Sequence, residues 1–229
     1  MNANELADRL FGPIESLDPE LAGYLGRDAR IGDCIKHPLV YSIMHNERQN
    51  AMVNAQLAAK QEACEEAKNA GQWHQYVFLH ERPWRVWALQ EVEWDLPDSE
   101  YWPLIGRVWT DSENIWENRD IWEGLLTDES RLDRHLIMSQ DERDALDALP
   151  STLAVYRGYD AAQGTADGLS WTLDEDRARW FARRLNPELP SIITGTVGKA
   201  DVIAHFTGRN EAEIVALPWT IDGKIVSAA

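Results

Sequence analysis

Basic residues are scarce in this sequence. Its 229 residues carry 22 Lys and Arg against 39 Asp and Glu, a formal net charge of −17. Tight binding to a nucleic-acid backbone rests on cations that neutralise phosphates, so direct nucleic-acid binding is not expected. An acidic surface instead suits basic partners such as arginine-rich proteins, or serves solubility. Cysteine is nearly absent: Cys34 and Cys64 form neither a CxxC pair nor a disulfide framework, and both are expected to be spare thiols of a reduced, cytoplasmic chain. No stretch approaches the roughly 18 consecutive apolar residues of a membrane helix. The opening "MNANELADRLFG" has no positive segment followed by an apolar one, so a secretory signal is not expected either. The six histidines show no HExxH, and His74 and His80 stand six apart with no cysteine nearby, so no metal is expected. A glycine-rich phosphate loop is also missing, and a nucleotide would have to be held by other means.

What is present is 44% apolar residues, enough for one large domain or two small ones, and eleven tryptophans, most between Trp73 and Trp122. The tryptophans at 87, 94, 102, 109 and 116 fall seven or eight apart. At that near-helical spacing they are expected to fill the core of a helical region rather than to form an open aromatic platform. Residues 1–36 mix Pro and Gly among short apolar patches and are expected to be loosely ordered. Residues 37–150 are expected to be helical. His45 to Ala70 is rich in helix formers and closes on Gly71, and Pro83 breaks or restarts a second helical stretch. Pro97 and Pro103 are expected to interrupt any single long helix. Thr110 with Glu113, Ser139 with Glu142 and Thr172 with Glu175 have the spacing of capping boxes.

After Pro150 the pattern changes. "STLAVYRGYD", "GLSWT", "SIITGTV", "DVIAHF", "EIVALP" and "GKIVS" read as short strands separated by turns, with a helix over "LDEDRARWFARRL". The expected class is therefore α+β: a helical Trp-rich N-terminal region followed by a strand-dominated part over residues 151–229.

Three elements in that part carry candidate chemistry: Arg157 in "VYRGYD", Ser170 in "GLSWT", and Glu211 with Glu213 in "NEAEIV". Residues two apart on a strand share a face, which would set two carboxylates side by side. A guanidinium fork suits phosphate oxygens, and two carboxylates about a sugar bond can stabilise an oxocarbenium and activate a nucleophile. Each residue also has a plain structural role open to it. Arg157 can pair with Asp160 or Glu213, and a bulge can leave Glu211 in solvent while Glu213 points inward.

Taken together, these residues resemble the arginine–serine–glutamate class of mono-ADP-ribosyltransferases over roughly residues 150–229: an aromatic-Arg-Gly strand, Ser-x-Thr leading into a helix, and Glu-x-Glu entering a strand. The resemblance implies a split β-sandwich with a cleft for NAD+. In that cleft Arg157, Gly158, Ser170, Thr172 and Glu213 would bind NAD+, and Glu213 would be the catalytic glutamate. Ser170 would hold Glu213, and Glu211 would promote attack by an acceptor, a protein arginine. Phe206, in the loop from His205 to Asn210, would meet the acceptor. The family also implies a bacterial or phage effector. Trp171 departs from the family's usual small residue and either reshapes the cleft or anchors the strand. Two alternatives stand beside this reading: an NAD+ glycohydrolase with water as acceptor, and a non-catalytic acidic binding or inhibitor protein.

Overall fold

The computed structural model describes residues 14–164, 166–208 and 211–229. Its contacts divide the chain into two compact units, Met1–Val92 and Glu93–Ala229. The helices from residue 98 onward thus share a unit with the C-terminal sheet, and the division does not fall at residue 150.

In the first unit, the carboxylate of Asp18 accepts the Glu20 amide at 2.8 Å and caps α1 (Pro19–Ala22). Strands β1 (Leu25–Asp28), β2 (Gly32–Lys36) and β3 (Tyr41–Ser42) follow as an antiparallel sheet in that order. Arg27 lies opposite Asp33 and pairs with it at 2.6 Å. This sheet corrects the expectation of a loosely ordered segment over residues 25–36; the same expectation for residues 1–13 lies outside the described residues. Its strands are short, and in β1 and β2 only Cys34 and Ile35 are buried, so no alternation exists for periodicity to detect. The long helix α2 (Asn50–Asn69) buries Val53, Leu57, Cys64 and Ala67 on one stripe. It ends where Gly71 adopts φ +65°, the left-handed position that terminates many helices. Next come α3 (Trp73–Leu79), a 3-10 turn containing Pro83, and α4 (Arg85–Val92). The Tyr76 hydroxyl and the Lys68 ammonium each donate to Glu91 at 2.6 Å, tying α2, α3 and α4 together.

The second unit opens with α5 (Asp98–Asp111), which starts just after Pro97 and runs through Pro103 without interruption. Packing outweighs the missing amide of Pro103: the helix buries Tyr101, Trp102, Leu104, Ile105, Val108 and Trp109. Thr110 starts no new helix. Its hydroxyl donates back to the Gly106 and Arg107 carbonyls at 3.0 and 3.1 Å, so it belongs to the last turn of α5. Then follow α6 (Arg119–Leu126), which buries Trp122, and α7 (Gln140–Asp147), which carries the expected box of Ser139 and Glu142. Of the spaced tryptophans, Trp102 and Trp109 are in the core, whereas Trp87 and Trp94 are 52% and 74% exposed. The core expectation is met by those two alone.

Six antiparallel strands complete the unit: β4 (Thr152–Asp160), β5 (Ser170–Thr172), β6 (Pro190–Gly198), β7 (Ala204–Phe206), β8 (Glu213–Val215) and β9 (Asp222–Ala228). Their order is β7-β8-β5-β4-β6-β9. All six were expected from the sequence, and α+β describes the chain. Helix α8 (Glu175–Arg183) is capped by Asp174, whose carboxylate accepts the Asp176 and Arg177 amides at 2.9 and 3.2 Å. The cap thus lies two residues beyond Thr172, which stays in β5. Ala178 and Ala182 of α8 are buried and sit directly over Gly158 of β4, where a Cβ would overlap the Ala178 carbonyl oxygen.

Candidate active site

The strand order sets the site. β5 lies between β8 and β4, and the register places Phe206, Glu213, Thr172 and Tyr156 in one row across four strands. Ser170, two residues along β5 from Thr172, shares its face and lies diagonally within reach of Glu213. The Ser170 hydroxyl donates to Oε1 of Glu213 at 2.5 Å. A second donor meets the same oxygen, the indole N–H of Trp109 from α5, at 3.2 Å. Arg157 of β4 donates through Nη1 to the Ser170 carbonyl at 2.8 Å. Strands β4, β5 and β8 therefore bring Arg157, Ser170 and Glu213 together.

Although Arg157 keeps partial exposure as a residue, desolvation of its guanidinium pulls its pKa down to about 10, with the charges of Glu213 and then Asp167 opposing the fall. It remains a cation at neutral pH. Gly168 packs flat on the guanidinium and leaves no room for a Cβ. The Trp171 indole, 2% exposed, fixes that loop by donating to the Gly168 carbonyl at 3.0 Å. Trp171 therefore anchors the strand. Asp160, the other partner open to Arg157, takes the Ala162 and Leu189 amides at 3.1 and 2.9 Å.

The chain itself supplies contacts to three further expected site residues. Thr172 was expected to contact NAD+, but its hydroxyl donates to the Glu211 carbonyl at 2.6 Å and accepts the Asp174 amide at 3.1 Å. Both directions are used by the chain itself, so Thr172 braces the glutamate segment. Gly158, also expected at the cofactor, is where α8 approaches β4. Phe206 was expected to meet an acceptor, yet it is 4% exposed, drawn into β7 by the apolar run before it. A side chain so enclosed does not reach a macromolecular target. Arg209 and Asn210, from the same loop, lie outside the described residues.

The pair of glutamates also differs from the regular-strand expectation. Ala212 between them has φ +42°, and β8 begins only at Glu213. A left-handed residue breaks the alternation, so strand geometry no longer places the Glu211 carboxylate beside that of Glu213.

Sequence reasoning missed Trp109 as a site residue. Its spacing marked it as core, and it is core at 2% exposure, but its N–H is directed at a residue 104 positions away. Nothing local signals such a contact.

His205 adjoins this row. It is 5% exposed, neither ring nitrogen has a hydrogen-bond partner among the described residues, and its amide donates to the Met138 sulfur at 3.1 Å. Burial lowers its pKa below the ordinary imidazole value, against an opposing pull from Glu142. The folded state thus binds this proton less readily than the unfolded chain. The stability from the neutral ring is complete above about pH 6.5 and is lost as pH falls below it. Between pH 7.5 and 5.5 the wild type should lose up to about 1.4 kcal/mol more than His205→Leu. Urea denaturation of both proteins at the two pH values measures the difference, and parallel losses would remove His205 as the cause.

Chemically, two donors on one oxygen fix a carboxylate in place, a geometry suited to stabilising positive charge that develops nearby. Among the described residues no group of His, Cys, Asp and Glu is arranged to hold a metal, and no helix is long and apolar enough to cross a membrane. Compared with known proteins, the chain matches no family model, no curated protein and no solved structure.

Proposed function

We propose that the protein is an NAD+-dependent mono-ADP-ribosyltransferase that passes ADP-ribose to a protein arginine, with Glu213 as its catalytic carboxylate. The observation that carries this reading is the convergence of Arg157, Ser170 and Glu213 through direct hydrogen bonds. These are the residues on which the sequence resembles the arginine–serine–glutamate class. The antiparallel order β8-β5-β4, with a helix directly after Ser-x-Thr, is compatible with the split β-sandwich that the reading requires.

In this reading the Arg157 cation faces the phosphates of NAD+. The bond between the nicotinamide nitrogen and the ribose C1′ breaks, its electron pair neutralising the pyridinium as nicotinamide leaves. The Glu213 anion stabilises the oxocarbenium left at C1′. An acceptor guanidinium nitrogen then bonds to C1′ and gives up a proton, for which Glu211 is the base. The net charge of −17 favours encounter with a basic target.

A second reading, an NAD+ glycohydrolase, is favoured by one observation: the left-handed Ala212 takes Glu211 off the strand, which weakens the case for a carboxylate dedicated to a protein acceptor. The two are separated by incubating purified protein with adenine-labelled NAD+ and an arginine-rich protein, following both nicotinamide release and label on protein. Transfer is supported if the wild type labels protein and Glu211→Gln releases nicotinamide without labelling. Release without label in the wild type assigns water as acceptor. With neither release nor a rise in Tm on adding NAD+, both enzyme readings fail, and a non-catalytic acidic binding protein takes their place.

A further inference from the structure

We propose that Trp109 is a positioning residue of this site: its indole N–H, acting with the Ser170 hydroxyl, fixes the Glu213 carboxylate in one orientation and holds it as the anion. Its effect on turnover rests on the reading above; the contact itself does not.

The tryptophans of the same unit provide the comparison. A buried indole N–H ordinarily takes an acceptor, and a backbone carbonyl is sufficient; the Trp122 N–H, buried beside Trp109, has none among the described residues. Trp102 donates to the Leu132 carbonyl at 2.7 Å and Trp171 to the Gly168 carbonyl at 3.0 Å. Trp109 alone of these three donates to an ionisable group, Oε1 of Glu213. Its ring is held firmly for the task. It is 2% exposed and lies edge-to-face with the fully buried Trp122, with centroids 5.0 Å apart at 75°. The helix that carries it is locked in turn, because Gly106 approaches the Ile137 carbonyl too closely to accept any side chain.

Two donors on one oxygen have a direct chemical consequence. Hydrogen bonds to the charged form of a carboxylate favour ionisation. Glu213 then meets positive charge as an anion and does not serve as a proton donor. A rigid indole also restrains the side-chain torsions that a hydroxyl alone would leave looser.

The test has a readout independent of turnover. The indole N–H resonance of Trp109, assigned by its loss in Trp109→Phe, is compared in the wild type and in Glu213→Gln at pH 7. It should shift clearly when the charge on its acceptor is removed. Coincident resonances in the two proteins overturn the proposal. In parallel, Trp109→Phe keeps an aromatic ring against Trp122 but removes the donor. The acid limb of its nicotinamide-release profile should rise by about one pH unit, and kcat should fall roughly tenfold with KM little changed. A loss of packing alone would not move that limb. A wild-type profile in Trp109→Phe also overturns the proposal. If the resonance shifts as expected while the wild type releases no nicotinamide, the contact stands and the transferase reading fails.

Discussion

Under the transferase reading, Glu213→Gln should lower nicotinamide release from NAD+ by roughly a thousandfold, the upper range for removing a preorganised electrostatic group, while the fold survives. The amide has the shape of the carboxylate, and its oxygen can still accept from the Ser170 hydroxyl and the Trp109 indole. The charge is lost and one carboxylate oxygen becomes an NH2 donor, while both donors to Oε1 can be kept, so the variant weighs electrostatic stabilisation against positioning. A second effect follows at Arg157. Glu213 is the foremost charge supporting that desolvated guanidinium, and without it the Arg157 pKa falls further and the unit loses stability. Steady-state release assays, circular dichroism and thermal melts of the two proteins report all three effects. Turnover within tenfold of wild type would show that Glu213 is not the anion on which the reaction depends.

Gly158→Ala is the variant with the largest expected effect on folding. Strand β4 and helix α8 meet at this residue, where an added Cβ would overlap the Ala178 carbonyl oxygen and crowd the Ala182 amide. Those are backbone atoms, and they cannot rotate away as a side-chain end can. Relief requires α8 to lift from the sheet, which also disturbs β5, the strand preceding α8 that carries Ser170. Forced overpacking of this kind costs about 3 kcal/mol, which for a unit of this size lowers Tm by roughly 6–12 °C. Differential scanning calorimetry of the variant tests this. An unchanged Tm would mean that α8 rests on β4 more loosely than the contact implies. Gly26, with no atom near its missing Cβ, is the natural control, and Gly26→Ala should differ little from wild type.

The strands of the second half were legible in the sequence because each is a short β-branched run bounded by turn residues. The Ser170–Glu213 pair was also foreseen, through its resemblance to a known arrangement. Local spacing was less dependable. Ser139 and Glu142 form the capping box their spacing promises, whereas Thr110 and Thr172 have the same spacing and do not. Thr110 sits in a helix still in progress, and Thr172 is held in a strand by its bond to the Glu211 carbonyl. Pattern alone does not register which backbone group a hydroxyl meets first. The sheet of β1, β2 and β3 was invisible because its strands hide little apolar surface. The regular-strand geometry expected for the two glutamates failed at one residue, Ala212, whose left-handed backbone is sparsely populated outside glycine and has no signature in composition. Trp109 lay beyond reach for another reason: its partner is set by how a helix and a sheet assemble, not by its neighbours.

The indole on α5 also bears on how the protein can be divided. A fragment beginning at residue 151 would contain Arg157, Ser170, Glu211 and Glu213, the whole of the motif. It would lack the helix whose indole donates to Oε1 of Glu213. The motif is portable, but the carboxylate's full set of donors is not: both donors to Oε1 are kept together only in the compact unit from Glu93 to Ala229.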